Sequence, residues 1–248
     1  VLSIYVSGKY AYVGITNCGG CTKFFGIIDI SNPSNPSLIS KFNYSDTAVN
    51  SIYMSGKYAY LGLESNSGSD FIIVDISNVS SPKNVSGIDF NSNVNSVYVS
   101  GRYAYVGIGS VGGNDLRIFD ISNPTSPVTV GGIDLGAGVN SVYVSSKYAY
   151  LGLSQVSGVN EFSIIDISNP LSPVNVGGVD TGGQVNSVYV SGKYAYIGNV
   201  NGLQIVDVSN PSSPVVVGSA STGTAPNSVY VSGRYAYVVN QTSATLKI

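Results

Sequence analysis

A tripeptide, Tyr-Ala-Tyr, returns six times along this 248-residue chain, opening at residues 10, 58, 103, 148, 194 and 235. The steps between copies are 48, 45, 45, 46 and 41 residues. Each copy sits in a longer conserved frame, read most plainly at 96–108 as SVYVSGRYAYVGI. A period of this size marks a repeat architecture, in which one supersecondary unit buries its apolar face only by stacking on its neighbours.

Each period holds four short runs rich in Val, Ile and Tyr, bounded by Gly, Asn, Ser or Pro, and such runs read as β-strands. In the third copy they are 96–100 (SVYVS), 103–108 (YAYVGI), 116–121 (LRIFDI) and 128–132 (VTVGG); they are labelled A, B, C and D. No stretch keeps an apolar period near 3.6, so no long helix is expected. The A–B link is Ser-Gly-Lys/Arg in five copies and Ser145-Ser146-Lys147 in the fourth. The C–D link is typically Ser-Asn-Pro-x-x-Pro, where proline ends strand C and turns the chain. The B–C links differ from copy to copy, at 17–23, 64–70, 109–115, 154–160, 199–202 and 241–245, and the D–A links differ too.

Four antiparallel strands repeated at this interval describe the blade of a β-propeller. The expected fold is therefore all-β, a single six-bladed propeller with blades at about 1–45, 46–91, 92–136, 137–182, 183–223 and 224–248, the last incomplete. Alternating strand direction puts the uniform A–B and C–D turns on one face and the variable B–C and D–A loops on the other. Variable loops on a rigid scaffold are where binding resides.

Composition narrows the function. Apolar residues make up 43% of the chain, enough for a continuous core, while charged residues make up only 10%, against roughly 25% in ordinary soluble domains. Eleven basic residues spread along a chain of net charge −2 cannot make a nucleic-acid footprint. No apolar run reaches the ~18 residues of a membrane span. The chain has no histidine, which removes the usual general base and every Ser-His-Asp or Cys-His arrangement. No pair of acidic residues is fixed at a defined separation for glycoside hydrolysis. No catalytic residues are expected.

The segment IVDVSNP at 205–211, its relatives IIDISNP at 27–33 and 164–170, and the YAYVG runs resemble the LVIVD repeat family of bacterial and archaeal cell-surface proteins. The resemblance spans nearly the whole chain. It implies a β-propeller exposed outside the cell, on a cell surface, and carries over no catalytic residues.

Several residue sets invite a functional reading. Of 19 tyrosines, 18 occupy three fixed repeat positions; identical placement in every copy argues for packing between blades rather than for a sugar platform. The Asp that ends strand C (Asp29, Asp75, Asp120, Asp166, Asp207) should lie beside the basic residue opening strand B, as an ion pair or a capped turn. On the variable face, Asp89, Asp134 and Asp180 precede strand A at one interval, and Asn95, Asn140 and Asn186 follow. Loop capping by Asx turns is the plainer reading of that set. The sharper one is a ring at the channel mouth holding a hard cation such as Ca²⁺, which takes six to eight oxygens; no other cofactor is expected. Cys18 and Cys21, alone and without histidine, read as a local loop disulfide rather than a zinc or redox site. N-glycosylation sequons begin at Asn43, Asn78, Asn84 and Asn240.

Val1 and the break within the sixth repeat read as cuts in a longer polypeptide. Strand C of that repeat would then be completed by residues upstream, residues downstream or strand addition from a neighbouring chain. The functional expectation is a non-enzymatic extracellular module, structural or adhesive, whose loops meet a protein or glycan partner. The alternative is a propeller that binds a cation or glycan through its acidic loop face.

Overall fold

The computed structural model describes residues 1–16, 22–66, 68–109, 112–240 and 246–247, the last two by their backbone alone. Cys18, Cys21 and most of the sixth B–C loop lie outside the described residues. Among those described there are 23 strands and no helix, arranged as five four-stranded antiparallel sheets and one of three strands, one sheet per repeat. The chain forms two compact units, Val1–Ile108 with Phe119–Thr129 and Gly109–Ile118 with Val130–Ile248.

The first unit contains β1 (Ser3–Ser7), β2 (Tyr10–Ile15), β3 (Phe24–Asp29) and β4 (Ser37–Phe42), then β5 (Val49–Ser55), β6 (Tyr58–Leu63), β7 (Phe71–Asp75) and β8 (Lys83–Ile88), each set paired in sequence order. It also holds β9 (Val94–Ser100) and β10 (Tyr103–Ile108). The third sheet is completed by β11 (Leu116–Asp120) and β12 (Val128–Ile133). The second unit carries β13 (Val139–Ser145), β14 (Tyr148–Leu153), β15 (Phe162–Asp166) and β16 (Val174–Val179), then β17 (Val185–Ser191), β18 (Tyr194–Asn199), β19 (Gly202–Asp207) and β20 (Val215–Ala220). β21 (Pro226–Ser232), β22 (Tyr235–Asn240) and the two-residue β23 (Leu246–Lys247) make the three-stranded sixth sheet.

Turn chemistry sets the register. The A–B hairpins need one residue at positive φ, which glycine supplies without steric cost: Gly8, Gly56, Gly101, Gly192 and Gly233 lie at φ 57–60°. The fourth hairpin forces Ser146 to φ 54° instead. With those turns in place, the middle tyrosine of strand A faces the second tyrosine of strand B in every blade, as in Tyr53↔Tyr60 and Tyr189↔Tyr196. The first tyrosine of strand B faces the Asp that ends strand C, as in Tyr58↔Asp75 and Tyr148↔Asp166.

That Asp does two jobs. In all five copies its Oδ1 accepts the backbone N–H of the serine two residues on, at 2.8–2.9 Å. Its other oxygen meets the basic residue opening strand B: Lys9 at 3.9 Å, Lys57 at 3.2 Å, Lys147 at 3.5 Å, Lys193 at 3.6 Å, and Arg102 in hydrogen-bond contact with Asp120. The same cations lie over the neighbouring tyrosine ring, 5.1–5.3 Å from its centroid. Both expected readings, capped turn and ion pair, hold at once. Bonding from the serine, with the neighbouring cation added, holds each of these carboxyls below its ordinary range.

The core runs between consecutive blades. In the first unit Tyr12, Phe25 and Ile27 pack on Val49, Ile52 and Met54 of β5, and Tyr60, Phe71 and Ile73 pack on Val94, Val97 and Val99 of β9. In the second, Tyr150, Phe162 and Ile164 pack on Val185, Val188 and Val190. Burying one such side chain is worth about 1.5–3 kcal/mol. Burial pushes the hydroxyls of Tyr12, Tyr60, Tyr105 and Tyr150 above the ordinary tyrosine range. The repeated tyrosines are thus packing residues.

Candidate functional site

In the second, fourth and fifth blades the Asn-Ser pair at the start of the inner strand is spent on holding neighbouring blades together. Asn50, Asn140 and Asn186 donate their amides to the Val94, Val185 and Pro226 carbonyls of the next blade, at 3.3, 3.1 and 3.0 Å. The serines beside them accept a backbone N–H from that same strand: Ser51 from Val97, Ser141 from Val188 and Ser187 from Val229, at 2.9–3.0 Å. The amide oxygens are also engaged, Asn140 with Ser154 and Asn186 with Gln184. Asn95 occupies the equivalent place on β9 and is half-buried. In the first blade Leu2 replaces the Asn, and Ser3 Oγ donates to the Val49 carbonyl at 3.0 Å.

A second set of acids, just before strand C, is buried. Asp70 Oδ2 accepts the backbone N–H groups of Phe90 and Ser92, and Asp115 Oδ2 that of Leu135. Glu161 Oε2 accepts both the N–H and the hydroxyl of Thr181. Each acid fastens the D–A loop of its own blade to the start of strand C. In blade five the short β18–β19 link carries no acid; the Asn199 amide there donates to the Thr181 carbonyl of the preceding D–A loop, at 3.0 Å. Asn240 repeats that bond to Thr222 at 2.9 Å and is buried. Asn43, Asn78 and Asn84 are exposed.

Asp89, Asp134 and Asp180 each close an Asx turn, accepting the N–H of Asn91, Gly136 and Gly182 at 2.7, 2.9 and 2.8 Å. Asp89 belongs to the first unit. Elsewhere in that unit Asp46 accepts the Lys23 N–H and Glu64 pairs with the Lys23 ammonium at 2.8 Å. Asp134 and Asp180 both belong to the second unit and flank one loop, residues 155–160. Among the described residues no three acidic or thiol side chains converge closely enough to hold a metal ion.

That loop borders two adjoining concave surfaces in the second unit. One cleft of about 290 Å³ is lined by Asp134, Asn160, Ser163 and Asn175, with Ile133, Leu135, Gly158 and Val159. An adjoining cleft of about 620 Å³ is lined by Gln155, Val156, Ser157, Asn160, Glu161, Asp180 and Gly182, and shares Gly158 and Val159 with the first. No basic residue lines either one. Asp115 lies behind Asp134; desolvation, with the Asp134 charge added, pushes its carboxyl above the ordinary range. The surface is acceptor-rich and acidic, with amide and hydroxyl donors between. It suits hydroxyl-bearing or cationic groups, and it offers no nucleophile–base pair.

The repeat pattern singles out Asp134 and Asp180 but not Gln155, Asn160, Ser163 and Asn175, which border the same clefts. A signal existed for Ser163. It stands three residues before the strand C Asp, where the second blade has the buried Ile72.

An LVIVD repeat model matches residues 1–44, 48–89, 92–134, 137–181, 182–222 and 223–244. No curated protein matches the chain. Among solved structures, a protein from Lactobacillus plantarum is similar at TM-score 0.79 and 11% identity, over 99% of this chain and 82% of that one. The Cps50 (Swd1) β-propeller domain of Myceliophteria thermophila matches at TM-score 0.68 and 11% identity, over 100% and 84%. A putative 6-phosphogluconolactonase from Bacteroides uniformis matches at TM-score 0.70 and 14% identity, over 86% and 68%. At such identities the likeness shows the fold alone, an all-β propeller built from the repeated antiparallel sheets.

Proposed function

Because the chain belongs to the LVIVD repeat family, we propose that it is a non-catalytic interaction module displayed at a cell surface, where the cleft over residues 155–160 holds a protein or glycan partner. One observation carries this reading. The repeated turns and the inner-strand Asn-Ser pairs are consumed by packing and by blade-to-blade hydrogen bonds, while the loops that differ between copies form a polar cleft. Divergent loops on a rigid repeat scaffold are the usual seat of recognition. The low charged fraction, 10%, and the exposed sequons at Asn43, Asn78 and Asn84 support an extracellular setting.

The test is binding of the 248-residue chain to a glycan array and to isolated cell-envelope material. The Asp134→Ala/Asp180→Ala and Asn160→Ala variants should lose at least tenfold in affinity while melting as the parent does. Binding that ignores these substitutions, or no binding to either material, would sink the assignment.

A cation is the second reading, favoured by Asp180, whose Oδ1 caps its own loop while the rest of the carboxylate borders the cleft. A melting temperature unmoved by millimolar Ca²⁺ removes it.

A further inference from the structure

We propose that the cleft over residues 155–160 takes a sugar that carries a free ammonium group, a hexosamine without its acetyl cap, with Glu161 and Asp180 receiving the charge. This rests on the cleft being the binding surface, and it names the chemistry that the cleft selects.

The charge is met by a buried carboxylate with an idle oxygen. Glu161 is 4% exposed, lines the larger cleft, and spends Oε2 on the N–H and hydroxyl of Thr181. Its Oε1 takes no hydrogen bond among the described residues. At the same position of the second blade stands Asp70, one methylene shorter and fully buried, with its Oδ1 sealed in without a partner. The longer Glu161 has a place on the cleft wall. A half-satisfied carboxylate away from bulk water is costly to keep. A cationic donor relieves it best, because a charge-assisted hydrogen bond is roughly twice as strong as a neutral one.

Asp180 borders the same cleft and is exposed; its Oδ1 is held by the Gly182 N–H at 2.8 Å, and Oδ2 accepts nothing among the described residues. An ammonium brings three donors and asks for fewer oxygens than the six to eight of a hard metal ion such as Ca²⁺. That suits a wall where, among the described residues, no three acid side chains converge.

The rest of the wall decides what carries the ammonium. Gln155, Ser157 and Asn160 are exposed, and their side chains make no hydrogen bond among the described residues. They offer donors and acceptors together, as ring hydroxyls require. A lysine side chain would need apolar cover for its methylene stem, and of the loop's two valines only Val156 is exposed, at 39%. No basic residue lines either cleft, so sugars bearing carboxylate, sulfate or phosphate meet only like charge.

Calorimetric titration of the whole chain compares a glucosamine oligomer with its N-acetylated counterpart, a galacturonate oligomer and tri-lysine. The glucosamine oligomer should bind roughly tenfold more tightly than any of the others. Glu161→Gln and Asp180→Asn keep each side chain's shape and its bond to the loop, so each should melt near the parent and weaken the glucosamine oligomer roughly tenfold. If Glu161→Gln does not fold, Asp180→Asn carries the test. Asp89→Asn makes the same charge change on the same kind of turn in the first unit and should leave binding as it is. Equal binding of the acetylated oligomer, lost on Asn160→Ala, overturns the ammonium while the cleft stands as a glycan site. Tri-lysine binding as tightly overturns the sugar. Binding that ignores Asp180→Asn, or that falls as much with Asp89→Asn, overturns the site. Binding to none of the four overturns the proposal, and the array and envelope test of the cleft then decides separately whether that surface binds at all.

Discussion

Replacing Gly177 by alanine and comparing it with the same change at Gly218 measures how tightly neighbouring blades interlock at the rim. The two glycines hold the same register position, Ile164↔Gly177 and Ile205↔Gly218. At Gly177 the new methyl would lie 2.2 Å from the Pro211 carbonyl oxygen, and the next nearest atoms are also backbone. Contact begins at about 3.5 Å, so the overlap is about 1.3 Å and no side chain can rotate out of it. The C–D turn of the fifth blade must shift. Overpacking of this kind costs about 1–3 kcal/mol, which in a chain of this size lowers Tm by about 2–12 °C. At Gly218 the methyl meets nothing nearer than 3.8 Å, and alanine recovers roughly 0.5–1 kcal/mol of the entropy that glycine loses in a strand. Its Tm should hold or rise. Thermal and urea unfolding followed by circular dichroism give both values. If Gly177→Ala costs under about 0.5 kcal/mol, or Gly218→Ala costs as much as Gly177→Ala, the seat described for the turn is wrong.

Ser187→Ala removes the acceptor of the buried Val229 N–H and should cost about 1–3 kcal/mol in urea unfolding; Ser228→Ala, exposed at the same position of β21, should cost close to nothing. Ser146→Gly relieves a left-handed serine whose strain is roughly 1–2 kcal/mol, so its melting temperature should rise; a fall contradicts the strain. The Asp75 carboxyl is held at about 2, first by bonding from Ser77 and then by Lys57. A lowered value stabilises the fold above the ordinary carboxylate range, and that stability is lost as pH falls toward 2. Asp75→Asn should therefore flatten the acid limb of a Tm–pH curve, and an unchanged limb would count against it. Asp115 runs the other way. Its raised value makes ionisation unfavourable to the fold, so stability falls as pH climbs through that range. Asp115→Asn should melt no lower than the parent at pH 7 and differ little from it at pH 3; greater loss at pH 7 than at pH 3 refutes the assignment.

Strand number, strand order and the turn face were legible because each rests on local chemistry repeated six times: positive-φ turns, prolines after strand C, alternating Val and Tyr. The Asp–Lys pairing could be read because hairpin register alone brings the two residues together. The Asn-Ser clamp was visible as a pattern but not as a function, since its partners are main-chain groups 40–47 residues away, which no spacing rule names. The buried acids were not legible for a related reason. Asp70, Asp115 and Glu161 stand among polar loop residues in the sequence, yet each is drawn inside by backbone N–H groups of a loop 20 residues on. The cleft over residues 155–160 was hidden because a concave surface depends on how two loops meet, and the two loops share no motif.

The inner-strand clamp has a consequence for how such a chain changes over generations. Every bond in it joins a side chain at a fixed repeat position to the main chain of the next blade, so the recipient's side chains hardly matter. Second, fourth and fifth blades are interchangeable at this joint, and a duplicated or deleted repeat would find its partner groups already in place. The first blade is the exception: with Leu2 where the others carry Asn, it gives only the single Ser3 hydroxyl to its neighbour. Repeat number can therefore drift among the second, fourth and fifth blades by unequal recombination at little cost to the joint.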